Sequence, residues 1–183
     1  MTDDHRAPGL LPALITIGVV RTGRLDRAHT PVQSSLNPTE TGTIEVDAAF
    51  AAALDGLEEF DYAWILSWLG DLRSSEPAQS APPLRSVPFL LQSQRREIGV
   101  LASRGPRRIN PIGLSLVRIL DVAAGRIQFA GVDLVDGTPV VDIKPYVIHF
   151  DRPPPGGDIA CGWFDTVSLI EGATPASLDP RSR

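Results

Sequence analysis

Two short segments concentrate the polar side chains that could do chemistry. Val132 to Tyr146 reads VDLVDGTPVVDIKPY and holds three carboxylates (Asp133, Asp136, Asp142), one lysine (Lys144) and one tyrosine (Tyr146). Gly99 to Ser115 reads GVLASRGPRRINPIGLS, where glycines, prolines and arginines interrupt an apolar stretch. Glycine allows close backbone approach and proline stiffens the path. A rigid loop exposing Arg104, Arg108 and Asn110 is therefore a sensible pocket wall. In strand registry Asp142 and Lys144 lie on one face, two residues apart. They form either a structural ion pair or an acid/base pair at a pocket.

Lys144 is the one lysine on a chain whose other basic residues are all arginine. A GC-rich coding bias replaces lysine wherever arginine serves equally well. Lysine differs in being compact and in shifting its pKa readily when buried. The arginines are unevenly placed. Between Arg95 and Arg108 five of them face a single acid, Glu97, although the whole chain carries a net charge of −5. A basic patch on an acidic protein selects anions locally, without advertising general nucleic-acid binding. A solvated loop is the plainer reading of such a cluster.

The elements that position these residues read as short strands. The 183 residues suffice for one domain, and 16 glycines with 17 prolines favour strands and turns over a helix bundle. Strands are predicted at Ala13–Val20, Thr43–Val46, Phe60–Leu69 (apolar, expected to be buried on both faces), Ile98–Ser103, Ile112–Val122, Arg126–Leu134, Val140–Ile143 and Tyr146–Phe150. One short helix is expected over Ala48–Leu57, with Asp47 as N-cap and Gly56 near its end. Asp136–Gly137 is a turn signal next to a strand interrupted by Pro139. Arg73 to Gln94, rich in proline and serine, is expected to be a mobile or functional loop. The fold class is mainly β: a single antiparallel β-barrel over residues 13–151 with one or two short helices, then an irregular C-terminal arm, 152–183.

Several chemistries have no motif here. The chain lacks G-x-G-x-x-G, G-x-x-x-x-G-K-[ST] and G-x-S-x-G, so Rossmann, P-loop and α/β-hydrolase readings weaken together. His5, His29 and His149 are scattered, and Cys161 is the single cysteine, so no metal site is expected. No apolar run reaches the roughly 18–20 residues of a membrane span. Without a basic secretory leader, a cytoplasmic location is expected.

With these residues in place, a resemblance emerges. The first segment resembles the A-[ST]-R-[SG]-P-x-R-P-N-P-I-G-[LM]-S signature of the TsaA-like, or TrmO, family. The second resembles its D-L-x-D-G-T-P-V-x-D-I-K-P-Y signature. IGVVRTG near the start, the triplet Pro31-Val32-Gln33, Gly42-Thr43-Ile44-Glu45-Val46 and Leu57-Glu58-Glu59-Phe60 follow in the family's order. The resemblance covers about residues 15 to 151.

It implies an S-adenosylmethionine-dependent methyltransferase on a β-barrel rather than a Rossmann sheet. It also implies a homodimer that acts on tRNA at N6 of N6-threonylcarbamoyladenosine, beside the anticodon. Cofactor contacts carried over from the family fall at Pro31, Val32 and Gln33; at Gly70 and Asp71; at Arg104; at Leu114; and at Asp133, Leu134, Val135 and Asp136. Carboxylates there suit ribose hydroxyls or a sulfonium, and arginine suits the methionine carboxylate. The acceptor nitrogen must lose a proton, so Asp142, Lys144 or Tyr146 is the expected base or its orienting group, with Asn110 positioning substrate. Three positions depart from the pattern. Tyr62 stands where the family has histidine, Gly70-Asp71 replaces a His-Gln type dipeptide, and Ile109 replaces a proline. The first two motivate a rival reading: a cofactor-binding protein with another methyl acceptor, or a non-catalytic sensor. The last residues are expected to replace only in part the separate C-terminal domain of longer bacterial members, and either to cap the pocket or to dock on a partner subunit.

Overall fold

Alternation along one strand sets the pattern of the sheet. From Tyr62 to Trp68, Ala63, Ile65 and Ser67 are buried, while Tyr62, Trp64, Leu66 and Trp68 keep exposed surface. This corrects the expectation of burial on both faces: only one side of the strand faces the interior. The computed structural model describes residues 13–70, 83–168 and 170–178. Its strands are β1 (Gly18–Arg21), β2 (Thr41–Val46), β3 (Tyr62–Trp68), β4 (Arg85–Ser86), β5 (Ile98–Gly99), β6 (Ile112–Ala123), β7 (Arg126–Ala130) and β8 (Pro139–Pro145). Six close into an antiparallel barrel in the order β1-β2-β7-β6-β3-β8, as the sequence led us to expect. β4 and β5 form a separate two-stranded ribbon, and β4 falls within the stretch expected to be loop.

The inward residues of the six strands make the core. Val20, Ile44, Ile65, Val117, Ile127, Phe129 and Val140 are almost fully buried, each stabilising the fold by roughly 1.5–3 kcal/mol. Two glycines allow close strand approach. A Cβ at Gly18 would lie 2.5 Å from the Glu45 carbonyl oxygen, and one at Gly113 would collide with the Ser67 hydroxyl.

Several boundaries differ from expectation for local reasons. β1 begins at Gly18, not Ala13, because its partner β2 ends at Val46, opposite Gly18. The chain then turns into a 3-10 helix, Ala48–Leu54, in which the Asp47 side chain accepts from the Ala49 N–H. The expected cap is present, but the helix is the tighter kind and shorter than predicted. Ile98–Ser103 is strand only to Gly99, and Val100–Ala102 is a 3-10 turn. Tyr146–Phe150 is not a strand. The Asp151 carboxylate accepts from the Val147 N–H and closes the one-turn helix α1 (Ile148–Asp151). Asp136–Gly137 does form a turn, with Gly137 at φ +78, but it joins strands that are not neighbours. The tight hairpin is Ala124–Gly125 between β6 and β7, both residues having positive φ.

This topology sends the long connections to one end. β1, β3 and β7 finish where β2, β6 and β8 begin, so segments 22–40 and 131–138 and the described residues between β3 and β6 emerge together. The other end carries segment 47–61, which covers a cavity of about 530 Å³ lined chiefly by Ile17, Val46, Phe50, Leu54, Leu57 and Ile143. The arm leaves β8 at that second end and returns to the first. There a 3-10 helix (Gly162–Thr166) and the short helix α2 (Pro175–Leu178) lie near the loops.

Candidate active site at the loop end of the barrel

β6 is twelve residues long and β7 only five. Their ladder covers Arg118 to Ala123 of β6, so the edge of Ile112–Val117 facing away from β3 has no strand partner. Loops from all three long connections fill that edge. Arg104 donates from Nη2 to the Leu114 carbonyl at 3.1 Å. The 3-10 turn Ser34–Leu36 follows Pro31-Val32-Gln33 and packs on β6. Asp133 stands between them. Its Oδ1 accepts from Ser115 Oγ at 2.7 Å and its Oδ2 from the Ser34 N–H at 2.9 Å.

The surroundings of Asp133 decide its protonation. Burial is the largest influence and pushes its carboxyl up to about 6, against the opposing pull of Ser115, the Ser34 N–H and the nearby charge of Arg104. A carboxylate so placed gains from any cationic or hydroxyl-bearing ligand. Ser34 and Ser115 hold it at opposite oxygens and were not singled out in the sequence. A serine inside a β-strand carries no signal until its inward direction is known.

The 22–40 loop is stapled in place. Arg24 pairs with Glu40 through Nε at 2.8 Å and Nη2 at 2.5 Å, and Asn37 donates both to Glu40 and to the Val132 carbonyl. Arg24 holds the Glu40 carboxyl below its ordinary value. Asp136 faces this loop rather than Asp133: its Oδ1 accepts from the Thr22 N–H, and Arg21 lies 3.8 Å from its Oδ2. Leu134 is buried and gives its carbonyl to Thr22 Oγ1, while the Val135 carbonyl accepts from Thr138 Oγ1. Pro31 is buried, and Gln33 donates to its neighbour's carbonyl at Val32.

Gly70 stands at the end of β3, beside the same loops. Arg27 reaches across from the 22–40 loop and donates to the Leu69 carbonyl. The Trp68 indole fills the space that a side chain at 70 would occupy. Asp71 lies outside the described residues, as does His5. Asn110 is exposed just before β6.

Three expected catalytic residues lie elsewhere on the chain's surface. Asp142 pairs across the sheet with Leu66, and Lys144 with Trp64, which places both on the outward face of β8. β3 separates β8 from β6, a distance of roughly 10 Å between the outer two strands. Lys144 Nζ lies 2.8 Å from Asp142 Oδ2, with both side chains substantially exposed. Asp142 hydrogen-bonds and attracts Lys144, raising the lysine pKa and favouring its ammonium form. The Tyr146 ring leans on Trp64 at 6.1 Å between centroids. Within one chain, then, Asp133 and Arg104 form one group and Asp142, Lys144 and Tyr146 another. Between them runs an outward apolar strip, Trp64, Leu66, Ile112, Leu114 and Leu116, which keeps exposed surface. Among the described residues no cluster of His, Cys, Asp and Glu could hold a metal ion, and no helix is long and apolar enough to cross a membrane.

Comparison with known proteins decides the family. The profile of the tRNA-methyltransferase O N-terminal domain matches residues 19–152. This chain belongs to the TrmO family. Crystallised TrmO from Pseudomonas aeruginosa is similar in fold and sequence, with a TM-score of 0.61 and 32% identity over 81% of this chain. The alignment spans 62% of that TrmO, so the chain corresponds to less than two thirds of its length. A mouse tRNA (adenine(37)-N6)-methyltransferase is 39% identical over 104 residues, 55% of this chain and 22% of the enzyme. A Pyrococcus abyssi relative, named a probable S-adenosyl-L-methionine-binding protein, is 30% identical over 85% of this chain and 79% of its own. Both dense segments lie within the matched residues.

Proposed function

We propose that this TrmO-family chain is an S-adenosylmethionine-dependent methyltransferase that methylates N6 of N6-threonylcarbamoyladenosine in tRNA. The observation that carries the reading is the convergence of Asp133, Arg104 and the Pro31–Ser34 segment on the unpaired edge of β6. The donor set fits the cofactor. It offers a desolvated carboxylate for ammonium or ribose hydroxyls and a guanidinium for the methionine carboxylate. When bound, the cofactor supplies an electrophilic methyl group on a sulfonium. Asp133 and Arg104 orient it, and the apolar strip beside Leu114 excludes water from the line of attack.

Lys144, held as an ammonium by Asp142, is suited to stabilise the deprotonated acceptor nitrogen rather than to take its proton. Asp142 is then the proton acceptor, Tyr146 is an orienting group, and Asn110 positions the substrate. A homodimer formed over the apolar strip would cover it and carry a second Asp142–Lys144 pair towards the loops. The barrel, 13–151, and the arm, 152–183, work as one unit in this reading, which is that of a cytoplasmic protein.

The test is transfer of labelled methyl from S-adenosylmethionine to total tRNA, with and without the threonylcarbamoyl modification. Label restricted to modified tRNA supports the proposal. Cofactor binding without label would favour a sensor or another acceptor, the reading that Gly70 and Tyr62 motivate.

A further inference from the structure

The arm is tied to both walls of the candidate site in the same chain. Its Ala173 carbonyl accepts from the Val32 N–H at 2.9 Å, and the Ala176 N–H donates to the Ala28 carbonyl. Ala173 is buried. At the other wall, Trp163 Nε1 donates to the Ala102 carbonyl at 2.8 Å. Trp163 stacks on Phe164 at 3.8 Å between ring centroids and 23° between planes, and each ring keeps part of its surface open to solvent. The two adjacent rings stack on each other at the loop rim, half-buried, and lie outside the barrel core.

The segment that anchors the indole is basic. Ala102, which anchors the indole, begins the segment that carries Arg104, Arg107 and Arg108, with no acid among them. Arg108 is folded onto the Ser103 carbonyl at 3.0 Å, one residue from the anchor. The acid nearest the stack in sequence, Asp165, is turned back to accept from the Cys161 N–H. A flat aromatic surface next to guanidinium groups is how proteins hold unstacked bases: the ring takes the base face and the arginines take the phosphates.

We infer that Trp163 and Phe164 form a stacking platform for a nucleobase of the RNA, next to the acceptor adenosine, with Arg107 and Arg108 on the flanking phosphates. The inference rests on the tRNA reading of the same site and adds the residues that hold a neighbouring base. It makes the arm a part of the substrate-binding surface rather than a tail.

The experiment measures tRNA affinity by fluorescence anisotropy and S-adenosylmethionine affinity by calorimetry, on the full chain and its W163A, F164A, W163F and F164Y variants. Methyl-transfer kinetics are run in parallel. Loss of one ring should weaken tRNA binding and raise the KM for tRNA by about tenfold, with kcat and cofactor affinity unchanged. W163F and F164Y, which keep a ring, should retain most of the affinity. Unchanged tRNA affinity in W163A and F164A overturns the inference. So does an equal loss of cofactor affinity, which would make the stack a structural brace. If the parent chain binds tRNA without methylating it, the methyltransferase reading fails while the platform is still judged on binding. A parent chain that binds no tRNA overturns both.

Discussion

The protonation of Asp133 gives a quantitative link between pH, stability and cofactor binding. Its folded pKa is about 6 against an ordinary 3.8, because burial disfavours the charged form. The folded state therefore holds a proton that the unfolded chain releases. Stability from this group is greatest below pH 4 and is lost as pH rises to about 6. A shift of about 2 units corresponds to about 3 kcal/mol across that window. Glu40 works the other way: Arg24 lowers its pKa, so its contribution is present above about pH 4.5 and lost on acidification. The difference between the parent chain and D133N isolates the Asp133 effect, since an amide at that position cannot ionise. Urea titrations from pH 4 to 7.5 should give a difference that moves by about 3 kcal/mol in favour of D133N as pH rises. Cofactor binding should run in the opposite sense, because only ionised Asp133 attracts a cation. Calorimetry should find S-adenosylmethionine bound about tenfold more weakly at pH 5 than at pH 7, with D133N weaker throughout and nearly flat. A parent chain with no such slope, or a D133N variant with the same slope, refutes the assignment of Asp133 to the cofactor.

Other expectations follow from single contacts. R104A should weaken cofactor binding by about 10- to 100-fold, read by calorimetry, because it removes a charge-assisted partner at the Leu114 edge. G18A should cost about 1–3 kcal/mol in urea denaturation, since its Cβ would press on the Glu45 carbonyl of the paired strand. K144A should fold and bind cofactor as the parent does, because its ion pair is exposed, but should lose at least about tenfold in methyl transfer. Full turnover would remove Lys144 from the reaction. L66R should turn the proposed homodimer into a folded monomer in sedimentation runs, and an unchanged mass would move the interface away from the apolar strip.

Much of the barrel was legible because its strands alternate around apolar residues. Ile44, Ile65, Val117, Ile127 and Phe129 all fall in predicted strands and all point inward. The errors lie where a partner, not the sequence, decides the conformation. Nothing within Ala13–Thr16 marks the end of β2, beyond which these residues have no strand partner. The hairpin at Ala124–Gly125 places alanine at positive φ, which no Asn-Gly or Asp-Gly signal announces. The two dense segments contained Asp133, Arg104 and Leu114, but their sequence spacing did not separate this group from Asp142 and Lys144. That division follows from β3 lying between β6 and β8. Ser34 and Ser115 became visible only through the hydrogen bonds they give to Asp133.

Methyl transfer to one nucleoside of tRNA can be read from the nucleosides themselves. Nucleoside mass spectrometry of threonylcarbamoylated tRNA, treated with the protein and isotopically labelled S-adenosylmethionine, tests it most directly. Labelled methyl is expected on the threonylcarbamoyladenosine alone, with the yield falling in R104A and D133N. Methyl on a different nucleoside, or none while the cofactor still binds, would contradict it.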